Sequence, residues 1–311
     1  MEKYKNLYKY ATIESARKIL ENNSVAFSAP FEFNDVYDCD FYVSNSELNK
    51  CLDLQREFCL QQQWMKLQTT TDSQNAMFLS AVYKSLVSTQ KKLMKRHHIY
   101  DPNPFLLWCS RKLRENGYGD GEVKSETIQQ KLDEVKKHFF VSCFSERKDS
   151  LLMWAHYADK FKGVCIEWQL PNNELIKKVK YSKRKPQFQA YRLLKLVLGY
   201  HFLGEEVDLE NHRIGDLVLR NVFVKSKDWD YEKEVRWVID KDDLALPNIE
   251  YKEENNQAIC RLKDAPICVY IGKRTSVEDE NVIRELCKKY PNCKVIKTDI
   301  SREEYRVLEI E

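Results

Sequence analysis

Glu232, Glu234 and Arg236 stand at alternate positions in the run Trp229-Asp230-Tyr231-Glu232-Lys233-Glu234-Val235-Arg236-Trp237-Val238-Ile239. From Val235 the run has a period of two, so it reads as a strand with Val235, Trp237 and Ile239 on one face. Residues two apart on an extended backbone point the same way, which places both carboxylates and the guanidinium on the other face. Burying such a row unpaired is costly, so it should meet water or line a cleft. By itself the stretch reads as well as a solvated edge strand whose Glu and Arg pair across it.

The elements that would position these groups follow from periodicity. Leu7-Tyr8-Lys9-Tyr10 is a short aromatic strand. Thr12 caps a helix over residues 13–21, with Ala16, Ile19 and Leu20 as its apolar stripe. Val25-Ala26-Phe27-Ser28 is a second strand, followed by a Pro-containing loop with a turn at Asn34-Asp35. These pieces either build the core or turn Lys9, Tyr10 and the Asn34-Asp35 turn towards a pocket. Phe139-Phe140-Val141-Ser142-Cys143-Phe144-Ser145 is a strand. Residues 150–158 form a helix with Trp154 and Tyr157 on one face, and residues 164–168 form the next strand. His156 has no Ser or carboxylate partner in a triad order, so no hydrolase is read here. Residues 186–203 read as helix, 267–272 as a buried strand, 276–290 as a helix capped by Ser276, and 295–298 and 305–310 as closing strands.

Residues 44–137 differ in character. Four helical periods, over 46–67, 74–95, 104–115 and 125–137, make this a helical insertion in a single domain spanning 1–311. Lys91, Lys92, Lys95, Arg96, His97 and His98 form a basic helix end that either complements the helix dipole or meets nucleic acid. A second basic run, residues 177–185, holds Lys180, Lys183, Arg184 and Lys185 around Tyr181.

With 43% hydrophobic residues, the 311-residue chain can bury a sizeable core. A net charge of only +3 means that nucleic-acid contacts must come from such local patches. The 10 cysteines form no C-x-x-C and no zinc spacing, so no metal site is expected. No apolar leader follows Met1 and no run is long enough to span a membrane, so a cytoplasmic chain with reduced thiols is expected. Walker A, G-x-G-x-x-G and H-E-x-x-H motifs do not occur.

Three pieces together resemble the bacterial domain family of unknown function numbered 2971. The first is Leu7-Tyr8-Lys9-Tyr10 with Phe27-Ser28-Ala29-Pro30-Phe31-Glu32-Phe33-Asn34-Asp35. The second is Ser142-Cys143-Phe144-Ser145 with Met153-Trp154-Ala155-His156-Tyr157-Ala158 and Gly163-Val164-Cys165-Ile166-Glu167. The third is Lys227-Asp228-Trp229-Asp230-Tyr231-Glu232-Lys233-Glu234-Val235-Arg236. That family in turn is similar to the ADP-ribosyltransferase fold, in which three short motifs on a split sheet clasp NAD. Lys9 holds the place of the fold's first-motif Arg or His, Cys143-Phe144-Ser145 matches its Ser-Thr-Ser strand loosely, and Glu232-Lys233-Glu234-Val235 matches its Glu-x-Glu.

The resemblance implies an α+β class, an ADP-ribosyltransferase-like split mixed sheet with a helical insertion. It implies an NAD-dependent ADP-ribosyltransferase, a toxin or phage-defence effector acting on nucleic acid (RNA before DNA) or on protein, with an antitoxin as possible partner and no membrane contact. Glu234 would hold the ribose 2′-hydroxyl and stabilise the developing cation. Glu232 would orient or deprotonate the acceptor, and Ser145 would support Glu234. Lys9, Tyr10, Ser28, Asn34, Cys143, Ser145, Trp154 and Tyr157 would bind NAD. Lys180, Lys183, Arg184 and Lys185 would bind nucleic acid. The competing expectation is a non-enzymatic nucleic-acid or protein binding module on a degenerate fold of this kind. A metal-dependent nuclease ranks last, because no acidic metal cluster is evident.

Overall fold

The computed structural model describes residues 4–33, 35, 37–50, 130, 133, 136–171, 175–191, 219–253 and 256–310. The chain divides into two compact units. The first comprises Met1–Asp40, Glu134–Lys185 and Val222–Glu311, and the second Phe41–Asp133 with Pro186–Asn221. Most of the expected insertion at 44–137, including its basic helix end at 91–98, lies outside the described residues, as does Asn34.

The first unit is mixed α+β, with a large mixed sheet and few helices. Its strands are β1 (Tyr4–Ala11), β2 (Ser24–Ser28), β3 (Phe139–Ser145), β4 (Val164–Pro171), β5 (Ile176–Lys178), β6 (Lys180–Ser182) and β7 (Val224–Ser226). They continue with β8 (Glu234–Asp240), β9 (Ile249–Lys252), β10 (Gln257–Arg261), β11 (Cys268–Ile271), β12 (Lys294–Ile300) and β13 (Val307–Ile310). Its helices are α1 (Ile13–Asn22), α2 (Leu151–Tyr157) and α3 (Val277–Cys287). Among the described residues eleven strands join in the order β13-β12-β11-β4-β1-β3-β2-β10-β9, with β8 pairing β3 and β5, while β6 and β7 pair by themselves.

Pairing is uneven along this sheet. β1 runs beside β4 from Tyr4 opposite Pro171 to Ala11 opposite Val164, and β3 runs beside β8 from Phe139 opposite Asp240 to Ser145 opposite Glu234. Yet β1 meets β3 only through Tyr8 and Ser145, and β2 meets β3 only through Ser28 and Val141. The sheet therefore nearly parts at β3, and one edge of the parting is Ser145, which also faces Glu234 across the ladder.

One face of the sheet buries Leu7, Phe27, Phe144, Ile166, Trp168, Val235 and Val269 together with Ala16 and Leu20 of α1 and Ile283 of α3. α1 starts where Thr12 Oγ1 accepts the Ser15 N–H and ends at Asn23, which takes the left-handed φ of 45°. On the other face α2 presses Met153 and Trp154 onto Tyr10, Cys165, Cys268 and Tyr270. Gly163 and Gly272 lie where α2's loop crosses the sheet. A Cβ at Gly163 would stand 2.1 Å from the Ala11 carbonyl oxygen, and one at Gly272 would stand 2.2 Å from that of Phe161. Only glycine permits that approach.

Sequence periodicity places β1, α1, β2, β3, α2, β4, β11, α3, β12 and β13 within a few residues of their observed bounds. It passes over the hairpin of β9 and β10. It also errs at 186–189: Pro186 and Phe188 carry backbone hydrogen bonds with Tyr42, so the chain there is extended and helix begins at Ala190. In the described part of the second unit Phe41 stacks on Phe188 at 5.4 Å, and Tyr191 N–H donates to Glu47 at 3.2 Å.

Candidate functional site

The Glu-x-Glu row neither meets water nor lies on one extended strand. Residues Lys227–Glu232 form a 3-10 turn, and Lys233 takes a left-handed φ of 45° before β8 starts at Glu234. That conformation is costly for a residue with a Cβ. Here it is held by the Lys233 N–H to the Asp230 carbonyl and by Glu146 N–H to the Lys233 carbonyl. The kink turns Glu232 inward beside Glu234, and the two carboxylates meet through a cation instead of through strand alternation. Lys225 Nζ, from β7, stands 2.7 Å from Glu232 and 3.2 Å from Glu234.

Arg236 completes the arrangement. Its Nε donates to Glu234 at 2.7 Å and its second terminal nitrogen donates to both oxygens of Asp38, at 2.6 and 2.7 Å. The first terminal nitrogen donates to the Val222 carbonyl and to Cys39 Sγ. Lys225 also reaches Asp38 at 3.3 Å. Arg236 is 0% exposed, and Glu232 and Glu234 are each 3% exposed. Three carboxylates and two cations thus share one dry volume. Coulomb attraction offsets the desolvation there only because nearly every polar atom has a partner.

The two carboxylates of the pair differ. Burial raises the Glu234 carboxyl's pKa, but Arg236, Lys225 and a thiol hydrogen bond from Cys143 outweigh it and lower it to about 2. For Glu232 burial dominates over Lys225, the Glu234 charge adds to it, and the pKa is raised. Lys225, desolvated but facing three carboxylates, is held firmly protonated.

The other residues read from the sequence fall into three groups. Close to the pair are Tyr157, whose hydroxyl donates to Glu232 at 2.5 Å, and Cys143, opposite Arg236 in the ladder. Ser145 also lies here, but its hydroxyl donates to the Glu232 backbone carbonyl at 2.6 Å and not to the Glu234 side chain. Lys9 is half-buried on the neighbouring strand, donating to Ser142 and to the Cys143 carbonyl, with burial lowering its pKa. Tyr10 and Trp154 are core residues: Tyr10 donates to the Arg147 carbonyl, and Trp154 packs edge-on against Tyr10 and stacks on Phe161. Ser28 sits at the end of β2, within 3.5 Å of the Gln257 amide. Lys180, Lys183, Arg184 and Lys185 are exposed.

Sequence reasoning missed Asp38, Lys225, Tyr181 and Tyr231. Tyr181 Oη accepts the Glu234 N–H at 2.7 Å. Tyr231 lies in an aromatic arc with Trp229 and His156, at centroid distances of 6.0 and 5.9 Å, and its hydroxyl is buried without a hydrogen-bond partner. The Glu-x-Glu itself was the only signal for this place, and its partners are remote in the chain: Arg236 and Asp38 are 198 positions apart.

Residues 153–237 match the family model of a protein of unknown function, DUF2971. The family read from the sequence is borne out over that segment. No curated protein and no solved structure matches the chain. The DUF2971 segment runs from α2 to β8 and carries Tyr157, Tyr181, Lys225, Glu232, Glu234 and Arg236. Lys9, Asp38, Cys143 and Ser145 approach it from outside. Among the described residues no group of His, Cys, Asp and Glu could hold a metal ion, and the described cysteines are free. No described helix is long and apolar enough to cross a membrane.

Proposed function

We propose that this protein is an ADP-ribosyltransferase that uses NAD as substrate, on a variant of the split-sheet transferase fold. The observation that carries the reading is a pair of carboxylates, Glu232 and Glu234, buried side by side on one ammonium, with Lys225 Nζ 2.7 and 3.2 Å away, burial raising the pKa of the first and Arg236 and Lys225 lowering that of the second. Environments that push two neighbouring carboxyls apart are how acid–base and electrostatic roles are divided at a glycosidic centre. The near-parting of the sheet beside Ser145 and the unpartnered Tyr231 hydroxyl support it further.

In this reading the bond from ribose C1′ to the nicotinamide nitrogen breaks, and nicotinamide leaves with the electron pair. Glu234 stabilises the positive charge left on the ribose. The acceptor's nucleophilic atom bonds to C1′, and Glu232 takes the proton it loses. Tyr231 supplies a hydroxyl for the ligand, and Trp229 and Tyr157 supply ring faces. The ammonium of Lys225 stands among the carboxylates, where a positive centre is best held, so the reacting ribose has to take over contacts that Lys225 makes.

A second reading is a non-enzymatic binding module. The full pairing and deep burial of Glu232, Glu234 and Asp38 favour it, since a charge cluster can serve only to specify the fold. Release of nicotinamide from labelled NAD, followed for the wild type and Glu234→Gln alongside their melting temperatures, separates the two. Turnover in the wild type and its loss in a folded variant support the transferase. An inert wild type supports the module.

A further inference from the structure

The basic run at 177–185 is not a detached surface feature. β5 extends the ladder of β8, with Lys177 opposite Arg236 and Lys178 opposite Val235, and Val179 N–H donates to the Glu234 carbonyl at 2.9 Å. In β6, Tyr181 lies beside Lys225 and sends its hydroxyl to the Glu234 N–H. The basic run is therefore anchored on the residue proposed to stabilise the reacting ribose.

Its charges are unequally spent. Lys178 pairs with Glu146 at 2.8 Å, and Lys185 pairs with Asp40. Lys177, Lys180, Lys183 and Arg184 are exposed and form no ion pair among the described residues. A turn in which Ser182 Oγ accepts the Arg184 N–H holds the last two at the end of β6. At the margin stands Tyr37, 67% exposed, with Lys185 Nζ 5.5 Å from its ring centroid. Tyr37 immediately precedes Asp38, the partner of Arg236. Exposed cations with no carboxylate partner among the described residues, one of them (Lys177) 5.7 Å from the Phe223 ring centroid, together with an exposed aromatic ring, are the composition that holds a single strand, with the cations on phosphates and a base stacked on the ring. An acidic peptide would use the cations but not the ring.

We propose that Lys177, Lys180, Lys183, Arg184 and Tyr37 form a docking strip for single-stranded nucleic acid, and that the docked strand is the acceptor presented to Glu232 and Glu234. The docking claim stands by itself, and the acceptor claim rests on the transferase reading.

The test is fluorescence anisotropy of the full chain with labelled mixed-sequence single strands, one RNA and one DNA, over a salt series. Binding should weaken linearly in log–log form. The combined change Lys180→Ala, Lys183→Ala, Arg184→Ala should flatten the slope by about 2, at roughly 0.7 per lost phosphate contact, and weaken binding roughly 10- to 100-fold. Tyr37→Ala should weaken it about tenfold at unchanged slope. Lys18→Ala, an exposed lysine of α1 paired with Glu14, should change neither. The tighter of RNA and DNA names the source of the strand. Salt-independent binding, a triple variant that binds like wild type, or poly-L-glutamate competing as well as the oligonucleotides would overturn the strip. With labelled NAD, the triple variant should release nicotinamide at the wild-type rate without acceptor and label the strand at least tenfold less. Salt-dependent binding with no nicotinamide release by the wild type would leave the strip standing and remove the transferase.

Discussion

The molecule buries carboxylates in two different ways. Glu167, on β4 and 6% exposed, is held by neutral donors: the Asn6 amide at 2.9 Å, Tyr8 Oη at 3.1 Å and Tyr270 Oη at 2.8 Å. The nearby cation, Lys148, donates to Tyr270 Oη and pairs with Glu309. Asp38, Glu232 and Glu234 are held by the cations Lys225 and Arg236 instead. Hydroxyls and an amide are enough to keep a carboxylate inside this sheet. A structural need for buried polarity does not by itself call for two buried cations among three carboxylates, so the β8 cluster is built to hold charge. Its surplus carboxylate is where the proton balance can change.

The largest expected effect tests that contrast directly. Arg236→Met removes the partner of Asp38 and Glu234 together and should cost about 3–5 kcal/mol, as for other buried ion pairs deprived of one side. Tyr270→Phe removes one neutral donor from Glu167 and should cost roughly 1–3 kcal/mol. Urea unfolding of both variants measures the pair. Equal losses would mean that the two carboxylate sites are energetically alike, and the argument for a charge-holding cluster would fail.

Glu234→Gln comes next. Both Glu234 oxygens face cationic donors, so either orientation of a Gln amide sets an N–H against Arg236 or Lys225. The change should cost about 2–4 kcal/mol and lower transfer about 10²–10³-fold. A sequence reading that puts this carboxylate in an open cleft expects no change in melting, and its burial reverses that expectation. The pH profile sharpens the point. The folded carboxyl titrates near 2 against 4.5 in an unfolded chain. A depressed pKa contributes stability that is full above the unfolded value and is lost as pH falls through the folded one. Melts from pH 7 to 2 should therefore show a wild-type acid limb between these values that is shallower in Glu234→Gln.

Much of this frame is legible in the chain, for identifiable reasons. α1 and α3 carry hydroxyl caps at Thr12 and Ser276 followed by apolar stripes, and β3 and β11 are β-rich runs, so local pattern and tertiary environment agree. β9 and β10 have mixed polarity because they form the sheet's outer hairpin, and period-two contrast fades there. At the site, the residue types of Glu232, Glu234 and Arg236 can be read, but their surroundings cannot. A row that looks solvated is buried because Asp38 and Lys225 arrive from distant segments, and no local pattern announces a long-range charge partner. Trp154 illustrates the converse: its type invited a stacking role, while its place on the buried side of α2 spends it on Tyr10 and Phe161.

The smallest expected effect is the most discriminating. Burial raises the Glu232 pKa above its ordinary 4.5, against the pull of Lys225. For an acid with a raised folded pKa the contribution is greatest below the unfolded value and is lost as pH rises through the folded one. At neutral pH an ionised Glu232 is therefore a net burden. A Gln at this position can turn its carbonyl to Lys225 Nζ and its amide to Tyr157 Oη, which accepts as readily as it donates. The contacts at 2.7 and 2.5 Å survive, and the cluster loses one surplus negative charge. Glu232→Gln should thus change stability at pH 7 by less than about 1 kcal/mol, with the sign towards stabilisation, and flatten the profile just above pH 4.5. Nicotinamide release should persist while transfer to an acceptor falls, because the variant lacks only the proton-taking group. Thermal melts from pH 4.5 to 7 and product analysis check both halves. If Glu232→Gln lost as much stability as Glu234→Gln, the two carboxylates would form one structural unit, and the division of labour between them would collapse.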